Sequence, residues 1–454
     1  MTLRTFRQGS ALVACMIILV VVSALAAALA GISMANLQIA HNHRHFNRAF
    51  ANAESGLEVA RYWLSRVRIP SSTPTSQYLS TVIADVRSEL ASNNVTNFVV
   101  NDDGSIRPVV LDAATGQVFS GLWSTDTTDP TILEIAARGA SGIASRTVAV
   151  HFHIEPYRFP IFDYGIATKG AIRFPQNPTL TGATQNWEAD IYVESNNNLI
   201  ALEVGGNANF DGDIDIGNPS ANVSFGGDIQ IAGDYGQTAL DEHVTIGADP
   251  VEFPVPNTAW FEHYATGPVI DSATSLAAPG MTLVNATIQA DTNPTFPGNV
   301  TIQGILFIKA PNVVTFGSNV ILQGLIVAEQ AQAGCGANQI SFEGNFSSGP
   351  YPADPQFDAI RGEQGSSILA PSSDVSFSGN FASVNGVMAA GSMYFSANAS
   401  ATVKGTMISY SPNPTYVEGN ISMDFDRASA VEIPAGFDLL RVLVYDPASY
   451  AMLF

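Results

Sequence analysis

Asn299-Val-Thr-Ile-Gln-Gly304-Ile-Leu-Phe-Ile-Lys309 is matched twenty residues later by Asn319-Val-Ile-Leu-Gln-Gly324-Leu-Ile-Val-Ala-Glu329. Two further pairs align in the same way. Val384-Asn-Gly386-Val-Met388 matches Val403-Lys-Gly405-Thr-Met407 at an offset of 19, and Phe210-Asp-Gly212-Asp-Ile214 matches Phe225-Gly-Gly227-Asp-Ile229 at an offset of 15. Repeats this short cannot build a four-stranded propeller blade. Alternating β runs with glycine corners fit one coil of a parallel β-helix, where each coil satisfies its backbone through its neighbours. The glycine marks a corner where φ can turn positive. Val300, Ile302, Ile305 and Phe307 are expected to face inward, with Val320, Leu322, Leu325 and Val327 stacked on them. An antiparallel sandwich is the rival architecture.

The β texture extends outward over residues 161–432. Two stretches interrupt it, near 248–280 and 334–365. The first holds Pro250, Pro254, Pro256, Trp260 and Tyr264 and is expected to cross the outside of the rod, ending in a short helix from Thr258. Residues 433–454 read as a C-terminal closing strand. Upstream, residues 69–160 combine a helix over 77–92 with short strands at 97–100, 108–111, 117–119, 132–136 and 145–154. The fold class predicted is mainly β: a long N-terminal helix with a small antiparallel sheet, then a large parallel β-helix.

Residues 10–68 are the helix. Ala11 to Ala35 carry no charge. At about 1.5 Å per residue this run is roughly 37 Å long, enough for a hydrocarbon core of ~30 Å. Beyond it Phe46, Ala49, Phe50, Ala53, Leu57, Ala60, Leu64 and Val67 form one apolar stripe. Ala28-Leu29-Ala30 before Gly31 also has the form of a signal cleavage site, but a helix continues past it. Leu12-Val13-Ala14-Cys15 has the form of a lipoprotein box, but the apolar run follows the cysteine instead of preceding it.

Arg7-Gln8-Gly9-Ser10-Ala11-Leu12, and Ala49-Phe50-Ala51-Asn52-Ala53-Glu54-Ser55-Gly56-Leu57-Glu58 after the apolar run, resemble the N-terminus of type IV pilins and pseudopilins. The resemblance covers residues 4–66 and is greatest to PilX-type minor pilins. It implies a leader over 1–9, cut by prepilin peptidase between Gly9 and Ser10. It implies a single bacterial inner-membrane anchor including Leu12, Ile17, Ile18, Leu19 and Val20, with the N-terminus cytoplasmic and the body outside. Phe50, Glu54, Gly56, Leu57 and Glu58 would be the motif that follows. Other pilin or pseudopilin subunits are the implied partners, in pilus or type II secretion-like assembly and attachment, without enzymatic activity or cofactor. The chain departs from the family at Ala14, the fifth residue after Gly9, where many pilins carry glutamate. That carboxylate can offset a neighbour's amino-terminal charge in a low-dielectric core, so its absence points to a rare subunit at or near a filament tip.

Charge limits the alternatives. Residues 1–68 hold seven arginines and two glutamates, and the rest of the chain holds 12 basic against 38 acidic residues. Between Pro175 and Ile360 the only lysine or arginine is Lys309. Such a body repels nucleic acid and anionic headgroups. Asp211, Asp213 and Asp215 alternate along a strand whose Ile214 and Ile216 face inward. They are candidate calcium ligands, since calcium takes hard oxygens, or simply a solvated acidic face. His41 and His45 are one helical turn apart. Cys15 and Cys335 make no disulfide framework or metal motif. A competing class, a tethered or secreted β-helix that binds or cleaves polysaccharide, would use a surface glycan as partner. Trp187, Trp260 and Tyr264 are its candidate aromatics.

Overall fold

The computed structural model describes residues 8–197, 199–276, 280–331, 336–396, 400–428, 430–431, 433–437 and 439–453, with side chains from residue 12. Arg4, Arg7 and Cys335 lie outside the described residues. The chain forms two compact units, Met1–Tyr157 with Leu439–Phe454, and Arg158–Asp438.

In the first unit α1 (Gln8–Leu64) runs unbroken for 57 residues. No proline interrupts it. Its end tightens as Val67 N–H donates to Leu64 O, and Pro70 bars any continuation. Helix α2 (Tyr78–Ser92) buries Tyr78, Val82, Ile83, Val86 and Leu90. The strands are β1 (Ile69–Pro70), β2 (Ser105–Asp112), β3 (Gln117–Thr125), β4 (Ile132–Ser141) and β5 (Ala144–Tyr157). The C-terminal strand Leu440–Leu453 enters this sheet between β1 and β5, and every pairing is antiparallel. Leu440 lies opposite Tyr157. The closing strand expected at 433–454 thus completes the small sheet, and residues 158–438 are an insertion between two adjacent strands.

The stripe on α1 supplies this unit's core. Ala53, Leu57, Ala60 and Leu64 are buried with Phe119, Trp123, Ile135 and Val150. Gly139 of β4 permits the close approach: a Cβ there would fall 2.1 Å from Ala49 O. The buried Asn52 donates from Nδ2 to Ala140 O at 2.8 Å.

The second unit is a β-solenoid of about 11 turns with parallel pairing from coil to coil. The offset-20 repeat is the true register: Val300 pairs with Val320 and Gly304 with Gly324, through to Ile308 with Ala328. The offset-19 repeat also holds, with Val384 opposite Val403 and Met388 opposite Met407. The offset-15 alignment does not. Val204 pairs with Phe225 and Phe210 with Ile231. Phe210 ends the second side of one coil and Phe225 the first side of the next, so that alignment matched unlike sides of neighbouring coils.

The inward phase is also corrected. It does not reset at Gly304, which turns the corner at φ +76°. Alternation runs straight through, so Val300, Ile302, Leu306 and Ile308 enter the rod core with Val320, Leu322, Ile326 and Ala328. Ile305 and Phe307 face outward yet are buried, because residues 258–264 and the short helix Asp358–Arg361 lie over them. On another side Phe296, Phe316, Phe342, Phe377 and Phe395 stack inside the rod, with ring centroids 5.0, 5.2, 5.0 and 5.1 Å apart and nearly parallel planes.

Coil order is not chain order. The first coil, Ile166–Thr168 to Thr179–Gly182, sits mid-rod. From it the chain winds away to Val244–Ile246. Residues 248–266 then cross the outside, as expected. The chain restarts at Val269–Ile270 and winds back until its last coil, Met407–Ser409 to Ser422–Phe425, pairs with the first. The crossing segment is tied down along its length. Val251 N–H donates to Tyr192 Oη at 3.2 Å, Asn257 N–H donates to Gly436 O at 2.7 Å, and Glu262 pairs with Lys309 at 2.9 Å. The insertion expected at 334–365 is shorter than read, since Gln339–Phe342 and Phe346–Gly349 are rod strands.

Candidate functional site

From Leu12 to Ile39 the side chains of α1 are exposed; Leu12, Ile17, Ile18, Leu19 and Val20 are 65, 58, 61, 69 and 65% accessible. This is the one helix among the described residues long and apolar enough to cross a membrane. Gly9 and Ser10 lie in its first turns as helical backbone. The motif after the apolar run divides by role. Leu57 is buried and Phe50 half-buried in the core. Gly56 lies against Phe119, whose ring a Cβ would meet at 2.7 Å. Glu54 accepts from Tyr450 Oη at 3.2 Å, and Glu58 pairs with Arg61 at 3.6 Å. His45 turns onto Ser141 Oγ at 3.3 Å, while His41 and His43 stay exposed.

On the rod, Asp211, Asp213 and Asp215 do not converge. Each is taken by a different partner, because only Asp215 lies within the strand Ile214–Ile216. Asp211 accepts from Gly182 N–H at 3.3 Å and Asp215 from Tyr164 Oη at 2.9 Å. Asp213 meets His243 Nδ1 at 2.7 Å, and the other ring nitrogen meets Asp234 at 3.0 Å. His243 ends α3 (Gly236–His243), whose Ala239 is fully buried in the rod core. The hydrogen bonds to Asp234 and Asp213 raise the imidazole pKa. Sequence reading did not single out His243, because its partners are 9 and 30 residues away.

Asp190 neighbours this group and accepts from Asp213 N–H at 2.8 Å. Burial, reinforced by the Asp213 charge, pushes its carboxyl up to about 7 against the one hydrogen bond. A carboxyl whose folded pKa is raised favours the fold when protonated, so its contribution falls as pH rises from about 4 to about 7. Asp190→Asn keeps an oxygen for Asp213 N–H. It is expected to match the parent at pH 4 and to be more stable at pH 8 by on the order of 2 kcal/mol, allowing for partial solvent screening. Denaturant titrations at the two pH values check this; equal gaps at both would refute it.

Trp187, Trp260 and Tyr264 do not form one platform. Trp187 lies under the Arg427 guanidinium at 4.9 Å. Trp260 and Tyr264 both donate to Glu363 Oε1, at 3.3 and 3.1 Å, and so anchor the crossing segment. Asparagine ladders at the corners are a feature that sequence reading passed over. Asn319 Oδ1 accepts from Asn345 N–H and Asn345 Oδ1 from Asn380 N–H, at 3.1 and 3.2 Å. They satisfy corner donors that the strand ladders cannot reach. Asn299 and Asn319, recurring at the repeat offset, were the available signal.

No family model matches the chain, and no curated protein does. Among solved structures it is similar to the competence-associated pilin ComZ from Thermus thermophilus, at 14% identity over 90% of this chain and 97% of that one, with a TM-score of 0.23. Overlap at this level leaves function to be read from this chain's own residues.

Proposed function

We propose that the chain is a minor pilin or pseudopilin-type subunit, held in the bacterial inner membrane by the first half of α1 and joined there to other subunits. The observation that carries this reading is the division of one unbroken helix. Its first half is uncharged and exposes a largely apolar surface that water does not favour. Its second half is the core of a small antiparallel sheet. A core helix of a soluble protein would have its apolar residues mostly buried, whereas those from Leu12 to Ile39 are exposed. On this reading the rod is a non-catalytic projecting body serving assembly, secretion or attachment, and residues 1–9 are a leader for prepilin peptidase. Ala14 and the bulk of the rod favour a place at or near the filament tip. Several kcal/mol would be needed to leave an amino-terminal charge unpaired at every repeat of a shaft.

Mass spectrometry of the membrane-extracted protein tests the anchor: Ser10 is the expected first residue, with the apolar run retained. A mature protein starting at Gly31 would make it a secreted form and end this reading. Immunogold labelling of filaments tests the placement, since even labelling along the shaft would exclude the tip.

A further inference from the structure

The end of the rod that carries α3 is closed by two devices. Ala232 and Gly233, at φ +51° and +98°, turn the chain into an antiparallel hairpin that sets Asp234 opposite Ile231. Helix α3 then packs on the end coil, Asn222–Phe225 to Val244–Ile246, and delivers Glu242 and His243 beside that hairpin. One ligand atom from each of Asp234, Glu242 and His243 lies within 4.8 Å of the other two. We propose that these three residues bind one divalent transition-metal cation of the zinc class, with Asp213 as the positioning residue for His243.

The imidazole has the orientation such a site needs. Its Nδ1 is held by Asp213 Oδ1 at 2.7 Å, and Nε2 points to Asp234 Oδ2 at 3.0 Å. A metal-bound histidine commonly gives its other ring N–H to a carboxylate, which selects the tautomer and raises ligand basicity. A separation near 3 Å between Nε2 and a carboxylate oxygen suits two neighbouring ligands on one ion, with bond lengths of about 2.0–2.2 Å. One imidazole and two carboxylates select zinc or a like ion over calcium and magnesium, which take oxygen ligands. Solvent completes the coordination. Nε2 binds the metal through its lone pair, any proton it carries passing to solvent, while Nδ1–H donates to Asp213. The cation would then bind the hairpin to the capping helix and close the rod against further strand addition, the hazard of any open sheet edge. The site is independent of the membrane anchor.

The test uses the full-length protein in detergent, stripped with EDTA and titrated calorimetrically with Zn2+, with Ca2+ and Mg2+ in parallel. One Zn2+ per chain is expected, bound more tightly as pH rises because the ligands must be deprotonated. Asp213→Asn is expected to weaken binding about 10–100-fold. Changing the half-buried Asp234 and the exposed Glu242 together, Asp234→Asn/Glu242→Gln, should abolish binding while leaving the metal-free unfolding transition in place. A triple change of His41, His43 and His45 to Asn should leave binding intact. The proposal is overturned if Zn2+ does not bind at one per chain, if the double variant binds it as tightly as the parent, if the collar variant loses it, or if Ca2+ binds equally well.

Discussion

Glu188→Ala is expected to destabilise the rod by about 3–5 kcal/mol, the range seen when one partner of a buried charged network is removed. Glu188 is fully buried at the seam where the first coil meets the last. Its Oε2 accepts from Thr184 N–H at 2.7 Å and Gln185 N–H at 2.9 Å, and its Oε1 from Arg427 N–H at 3.1 Å and Ala428 N–H at 2.8 Å. Arg427 is itself buried, stacks on Trp187 and donates to Asp163 O. Alanine would orphan four backbone donors and strip a counter-charge from a buried guanidinium. Calorimetry of the full chain should show the rod's unfolding midpoint fall by roughly 10 °C. The pH dependence has a definite sign. Burial pushes the Glu188 carboxyl up, but hydrogen bonds from Gln185, Thr184 and Ala428 outweigh it and hold the pKa below the ordinary value of 4.5. The gap between parent and variant is therefore complete above about pH 5 and closes as pH falls through the folded pKa. An unchanged midpoint at neutral pH would mean that the seam is held by its strand ladder alone.

Phe342→Ala should cost a similar amount, about 3–5 kcal/mol, by a different mechanism: transfer of a buried ring plus the cavity left behind. Phe342 is 1% exposed and stacks between Phe316 at 5.2 Å and Phe377 at 5.0 Å, with Phe346 at 4.7 Å beside it. The parallel ladder fixes the spacing of these rings, so neighbouring coils cannot close the gap. Phe342→Leu should recover much of the loss. Ser341→Ala, on the outward face one residue away, should stay within about 0.5 kcal/mol. Hydrogen exchange should show lost protection spreading from residues 339–342 to the coils on both sides. A loss below 1 kcal/mol, or one confined to a single coil, would show that the rings do not act as a stack.

Much of this architecture was legible in residues close together in the chain. The uncharged run from Ala11 to Ala35 is long enough to span a membrane whatever surrounds it, and the stripe from Ala49 to Leu64 names the buried face of α1. Asn299–Lys309 and Asn319–Glu329 show their register because identical corners impose identical residues. The candidate site was less legible. Asp213 is visible as one of three alternating carboxylates, but its partner His243 arrives only after a hairpin and a helix have turned the chain back.

Three things were decided by the tertiary structure alone. The C-terminal strand joins the small sheet because Tyr157 and Leu440 are neighbours once the rod has returned the chain to its start. The side chains of Ile305 and Phe307 are buried, although outward, because a segment more than 40 residues earlier lies over them. The first coil stacks on the last, and residues 248–266 run outside to make that possible. The physical reason is common to all three. A parallel coil offers the same row of donors and acceptors to any other coil, so local pattern identifies a coil without saying which coil lies next to it. That choice is made by closure over long separations, through Glu188 reaching Arg427 and Ala428, and Glu262 reaching Lys309.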